Sequence, residues 1–109
     1  MIGLEDKDPD TTAAQDPSTA PRVLARLAHH ERNFVRVYVA ANPNCPQDDL
    51  RRLARDKIML VRHGVAANPR CPQDLVVLLL EDEIHVVRDR AMDNPQCPEE
   101  YRALSRVTQ

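Results

Sequence analysis

The chain has 109 residues, a formal net charge of −2, and only three aromatic side chains, Phe34, Tyr38 and Tyr101. That length allows one small domain. The near-balanced charge does not demand a polyanionic partner, and so few aromatics leave little on which bases could stack. No apolar run is long enough to span a bilayer, and Met1-Ile2-Gly3-Leu4 leads into acids rather than into a signal-peptide core, so a cytoplasmic protein without membrane contact is expected.

Met1 to Thr19 carries five acids (Glu5, Asp6, Asp8, Asp10, Asp16) against Lys7, a net −4, with two prolines and little apolar periodicity. Residues 1–18 are therefore expected to be a disordered acidic tail and residues 19–109 a helical domain of net charge +2. A helix is expected to begin at Thr19-Ala20-Pro21, bearing Val23, Leu24 and Leu27, with no preceding turn to cover its outer side.

From there the chain is organised by a pentapeptide: Asn42-Pro43-Asn44-Cys45-Pro46, Asn68-Pro69-Arg70-Cys71-Pro72 and Asn94-Pro95-Gln96-Cys97-Pro98, each 26 residues after the last. A fixed period in this range marks a repeat architecture whose units bury their apolar faces against one another. The register extends upstream through Phe34-Val35-Arg36, Leu60-Val61-Arg62 and Val86-Val87-Arg88, and downstream Leu50 and Leu53 meet Val76 and Leu79. Counting back once more, Leu24 and Leu27 meet Leu50 and Leu53, which gives a partial unit at the front.

Within each unit the segment after the pentapeptide has the grammar of a helix start. Proline suits the first turn, where its missing N–H has no partner to lose, and Asp48, Asp74 or Glu100 lies at the favourable end of the helix dipole. A helix of about ten residues is expected, to near Arg55 in the first full unit. A second segment, roughly residues 58–67, puts Ile58, Val61 and Val65 on one face, and Asn68-Pro69 stops it. Its short length and β-branched content fit either an α-helix or a 3₁₀ stretch.

The pattern Val-Arg-x-x-Val-Ala-x-Asn-Pro-x-Cys-Pro-x-Asp, read from Val61 to Asp74, closely resembles the leucine-rich repeat variant family. The resemblance implies an all-α, right-handed α-solenoid, distantly like HEAT and armadillo repeats. Here it would hold about three and a half 26-residue repeats, each an α-helix plus a short α or 3₁₀ helix. Some family members carry an amino-terminal iron–sulfur module with clustered cysteines. The tail here has no cysteine, so no cofactor is expected.

Cys45, Cys71 and Cys97 recur once per turn. Equivalent positions of stacked turns lie roughly 8–10 Å apart, too far for a disulfide, whose Cα atoms sit under about 7 Å apart, or for shared ligation of one zinc ion. They are expected to be small buried residues with free thiols. Asn42, Asn68 and Asn94 are expected to form a stack whose amides satisfy loop backbone groups of neighbouring turns. Arg62 and Arg88 each follow an aspartate, Asp56 and Asp82, by six residues, a spacing that resembles the Asp–Arg ladder of HEAT repeats. Arg36 has His30 in the matching place, so it is expected to be the rung without a carboxylate.

No metal or catalytic constellation is apparent. His29, His30, His63 and His85 occupy different repeat positions, Gly3 and Gly64 form no phosphate-cradling loop, and no nucleophile has a paired base. A non-catalytic module for an unidentified protein partner is the leading expectation. Its candidate surface is Val77 and Leu78, from the apolar run Leu75 to Leu80, with Arg36, Arg51 and Arg52. Self-association through Val77 and Leu78 is one form of it; the other is that Leu75 and Leu78 pack on Tyr101 and Leu104. The alternative is a nucleic-acid module built on the basic front half, Arg22, Arg26, Arg51, Arg52, Arg55 and Lys57. In the last helix Arg102 and Ser105 replace Leu50 and Leu53, as a polar solenoid cap would.

Overall fold

The computed structural model describes residues 8–107, with side chains to Leu104. Eight helices follow one another without a strand among the described residues: α1 (Pro9–Gln15), α2 (Pro21–Leu27), α3 (Asn33–Ala41), α4 (Gln47–Leu53), α5 (Met59–Ala67), α6 (Gln73–Leu79), α7 (His85–Met92) and α8 (Glu99–Val107). They form a helical-repeat solenoid with principal extents of 53 × 28 × 22 Å. Helices α1, α3, α5 and α7 pack side by side in one layer, most extensively α3 against α5. Helices α2, α4 and α6 form the other layer, each resting on its sequence neighbours.

The sequence explains where each element stops. Pro46 and Pro72 sit at the N-caps of α4 and α6, extended at ψ 146° and 147°, and their carbonyls open the helix by accepting from Leu50 and Val76. Three residues then form the buried side of each: Leu50, Leu53 and the C-cap Ala54 for α4, and Leu75, Val76 and Leu79 for α6. Each of these helices ends after seven residues, shorter than the ten expected, because the chain tightens at once into i→i+3 bonds such as Asp56 N–H to the Leu53 carbonyl. The second segment of every unit is α-helical rather than 3₁₀, eight or nine residues long. Asn42 and Asn68 close α3 and α5 with extended backbone, as a residue before proline must.

The core is a column of small and branched residues at equivalent positions: Val35, Val61 and Val87; Val39, Val65 and Ala91; Leu24, Leu50 and Val76. Gly64 is part of it for a steric reason. A Cβ there would lie 2.9 Å from the Val37 carbonyl oxygen and 3.0 Å from the Ala40 Cβ, so α3 and α5 meet closely where the equivalent Tyr38 and Arg90 instead project outward.

One expectation is overturned. From Asp8 onward the presumed tail is α1, a further short helix of the stack. Asp8 caps it by accepting from Thr11 N–H at 2.7 Å, Pro9 takes its first position, and Ala14 is fully buried. Thr19 Oγ1 donates to the Ala13 carbonyl, and α1 covers both α2 and α3, so the front of the solenoid is not bare. Residues 1–7 lie outside the described part.

Candidate interaction surface

Two hydrogen-bond ladders fix the spacing of the turns and so decide which side chains are free to meet a partner. In the first, each asparagine amide donates to two carbonyls of the turn before: Asn42 to Ala14 and Asp16, Asn68 to Ala40 and Asn42, Asn94 to Ala66 and Asn68, at 2.7–3.0 Å. Each Oδ1 accepts the backbone N–H two residues on, at Asn44, Arg70 and Gln96. Buried and fully bonded, these asparagines belong to the framework.

In the second ladder the arginines reach forward. Arg36 Nε and Nη2 grip Asp56 at 2.9 and 3.2 Å, and Arg62 grips Asp82 at 2.7 and 3.1 Å, while each Nη1 donates to the carbonyl six residues back, His30 and Asp56. Thus Arg36 is not the rung that lacks a carboxylate. It is a half-buried clamp between two turns, and it drops out of the candidate partner surface. Arg88, which donates to the Asp82 carbonyl, has no carboxylate partner among the described residues. The Arg62 guanidinium holds the Asp82 carboxyl below its ordinary pKa; burial opposes ionisation of Asp56, and the bonds from Arg36 and Ile58 N–H outweigh it.

The first rung has reversed polarity. His30 stands where Asp56 and Asp82 stand, and Asp10 where Arg36 and Arg62 stand, with Nε2 and Oδ2 3.1 Å apart. The His30 ring accepts Arg32 N–H at Nδ1, as Asp56 accepts Ile58 N–H, so its hydrogen is on Nε2 and it donates to Asp10.

The cysteines stay apart, one per turn, each thiol set on the carbonyl of the following proline at 3.6 Å. Burial pushes the Cys45 and Cys71 thiols up to about 12, and raises Cys97 as well, so they are protonated at neutral pH.

The α4–α6 candidates are only partly available. Arg51 pairs with Asp74 across the two helices at 2.6 Å; Arg52 pairs with Asp49 and lies 3.0 Å from His29 Nε2. Val77 is half-buried and Leu75 buried, while Leu78 is 39% exposed beside a shallow 280 Å³ hollow shared with Arg51, Arg55 and Asp74. Tyr101 packs against the core, but Leu104 and Leu78 both remain exposed. Arg22, Arg26, Arg55 and Lys57 are exposed, and none has an ion pair among the described residues.

The larger free surface lies on the other layer, at positions that sequence reasoning passed over. Phe34, Leu60 and Val86, the residues just before each Val-Arg pair, are 46%, 54% and 41% exposed at one repeat position of α3, α5 and α7. On α3 the exposed side continues through Tyr38 and Ala41, with Val37 half-buried beside them; on α5 the position equivalent to Tyr38 is the buried Gly64, and Ala67 is half-buried. The Arg32 guanidinium lies 5.3 Å over the Phe34 ring and is itself tied to Asp8. The signal was in the sequence as a repeated apolar position beside a buried valine, but periodicity does not tell which of two adjacent apolar residues faces out.

An all-helical stack tied turn to turn by asparagine rungs and by the Arg36–Asp56 and Arg62–Asp82 pairs defines a helical-repeat protein. The chain is similar to the leucine-rich repeat variant family: the model of the Leucine Rich Repeat Variant domain matches residues 8–55. No curated protein and no solved structure matches the chain. The match begins at Asp8, the N-cap of α1. No helix among the described residues is long and apolar enough to cross a membrane.

Proposed function

We propose that this chain is a non-catalytic helical-repeat module that binds a protein partner, with the outward face of α3 and α5 as its contact surface. One observation carries the reading: Phe34 and Tyr38, one turn apart on α3, and Leu60, at the Phe34 position of α5, are exposed apolar side chains bordered by polar residues of α1 and α7. Patches of this kind, centred on aromatics and rimmed by polar groups, are where partners dock. The ion-paired state of Arg36, Arg51 and Arg52 and the protonated thiols leave the remaining conspicuous residues with framework tasks. The test is a photo-crosslinking amino acid placed at position 60, with position 73 on α6 as control. Capture of a discrete protein at 60 and not at 73, surviving salt raised from about 50 to about 500 mM, supports the reading; equal capture at both positions defeats it.

A second reading, a nucleic-acid module, is favoured by the 540 Å³ basin between the first two full turns, whose lining includes His29, Arg52, Arg55 and Lys57. Glu31 and Asp56 line it too, which weakens its pull on phosphates. Salt-dependent retention of single-stranded RNA, lost in an Arg55→Ala/Lys57→Ala variant, would favour it over the first.

A further inference from the structure

Two exposed charges flank the α3–α5 face at one repeat position: Glu31, three residues before Phe34, and Lys57, three residues before Leu60. Both line the 540 Å³ basin between the first two full turns, and neither is ion-paired among the described residues. One helix thus begins with an acid beside an exposed aromatic, and its neighbour with a base beside an exposed leucine.

Such a surface is complementary to itself. A two-fold axis that runs parallel to α3 and α5, midway between them, lays α3 of one copy on α5 of the other, so that Phe34 meets Leu60 and Glu31 meets Lys57, each contact made twice. The borders then follow. The edge of α7, where His85, Asp89, Arg90 and Asp93 are all exposed, comes opposite the uncharged Thr12 and Gln15 of α1. Arg55 comes opposite His29, and Arg70 beyond α5 opposite Asn44 beyond α3. Asp8 and Arg32, the other charges beside Phe34, already neutralise each other at 2.6 Å.

Other registers bring like charges together or leave the aromatics bare. With α5 on α5, Lys57 lies on Lys57 and Glu31 on Glu83; with α3 on α3, Glu31 lies on Glu31; an axis across the helices sets Lys57 on Arg70. Pairing α5 with α7 matches Lys57 to Glu83 but leaves Phe34 and Tyr38 uncovered. Size sets the strength. Large apolar side chains cover roughly 150–250 Å² each when fully buried, so the exposed parts of Phe34, Tyr38 and Leu60 come to roughly 250 Å² per copy and roughly 500 Å² in the pair. At an apolar share of about 60% this is the centre of an interface of roughly 800 Å², below the roughly 1,200 Å² of stable complexes. The pairing is therefore weak, held mainly by its apolar centre and put in register by its rim.

We propose that the partner of the α3–α5 face is a second copy of the chain, in a two-fold dimer that sets Phe34 on Leu60 and Glu31 on Lys57. The assignment rests on the interaction-module reading and names its partner.

Sedimentation velocity of the full chain from about 10 µM to about 1 mM, the range in which weak interfaces become populated, should show a monomer–dimer equilibrium. Leu60→Glu should weaken it by about tenfold or more, with circular dichroism confirming the fold. Glu31→Lys and Lys57→Glu, each alone, should weaken it by about threefold to tenfold. Mixed one to one, these two variants should associate again, because each copy then offers the charge that the other lacks; an ion pair within one chain is not rescued by mixing. A wild type that is monomeric at about 1 mM, a dimer that Leu60→Glu leaves intact, or mixed variants that stay apart overturns the proposal. So does flotation with phosphatidylserine vesicles that Leu60→Glu abolishes. If the crosslink at position 60 captures a different protein while the chain stays monomeric, the self-pairing fails and the module reading stands; with neither a different protein nor a second copy captured there, the module reading fails as well.

Discussion

Arg102 stands to Asn94 as Asn94 stands to Asn68. Asn94 donates to the carbonyls of Ala66 and Asn68, and Arg102 donates through Nε and Nη2 to those of Met92 and Asn94, the positions 26 residues further on. A guanidinium on α8 therefore supplies the rung that an asparagine of another turn would have made. The polar substitution of Leu50 by Arg102 along the repeat is thus a specific cap as well as a solubilising change. Arg102→Ala leaves two carbonyls at the end of α7 without their donor, and a loss of about 1.5–3 kcal/mol is expected. Amide exchange should report it as lost protection in α7 and α8 while α3 and α5 hold; loss spread evenly over the chain would contradict a local cap.

Asn68 is the most enclosed rung, fully buried and bonded through both ends of its amide. Asn68→Ala strands the Ala40 and Asn42 carbonyls and the Arg70 N–H, and is expected to cost about 3 kcal/mol or more, a large part of a small domain's stability. Asn68→Asp should be no better, because a carboxylate has no N–H to give those carbonyls. Urea denaturation ranks the variants, and an aspartate variant close to wild type would show that the donor is dispensable.

Much of this framework is legible in the residues, since Asn-Pro stops each short helix and the Val-Arg and Leu positions hold their register. What escapes shows which signals are weak. Helix α1 is hidden by composition: Ala13-Ala14-Gln15-Asp16-Pro17 falls in register with Val39-Ala40-Ala41-Asn42-Pro43, but Ala13 replaces the branched Val39, Asp16 replaces Asn42, and the nearby acids suggest disorder. The arginine ladder is misjudged because closeness in sequence is taken for contact. Six residues back Arg62 finds the Asp56 carbonyl, whereas its carboxylate is Asp82, twenty residues ahead on the next turn. The outward face of α3 and α5 is missed because Phe34 and Leu60 adjoin Val35 and Val61, and only the packing decides which of each pair turns inward.

Gly64 tests how tightly the turns are set. Replacing a helix-interior glycine by alanine ordinarily gains about 1 kcal/mol, but here the new methyl would lie 2.9 Å from a backbone oxygen on the facing helix, which cannot rotate away. Overpacking of this kind costs about 1–3 kcal/mol, so a net destabilisation of up to about 2 kcal/mol is expected. Thermal denaturation decides it: a higher melting temperature for Gly64→Ala would mean that α3 and α5 separate at little cost.

Acid should loosen the solenoid in two stages. His63 has a lowered folded pKa from burial and from Arg90, so the unfolded chain takes up a proton first, and stability complete above about 6.5 begins to fall below it. The second stage belongs to Asp82, lowered chiefly by Arg62, and to Asp56, where Arg36 overcomes the cost of burial. Carboxylates with depressed folded values contribute fully above the unfolded value near 4 and lose that contribution as the pH falls through the folded ones. Melting temperatures across this range should therefore show a shallow decline below about pH 6.5 and a steeper one below about pH 4. His63→Leu should flatten the first limb only, and Asp82→Asn, less stable at neutral pH, should flatten the second. An Asp82→Asn variant with an unaltered acid limb would mean that the arginine clamp contributes nothing to holding the turns together.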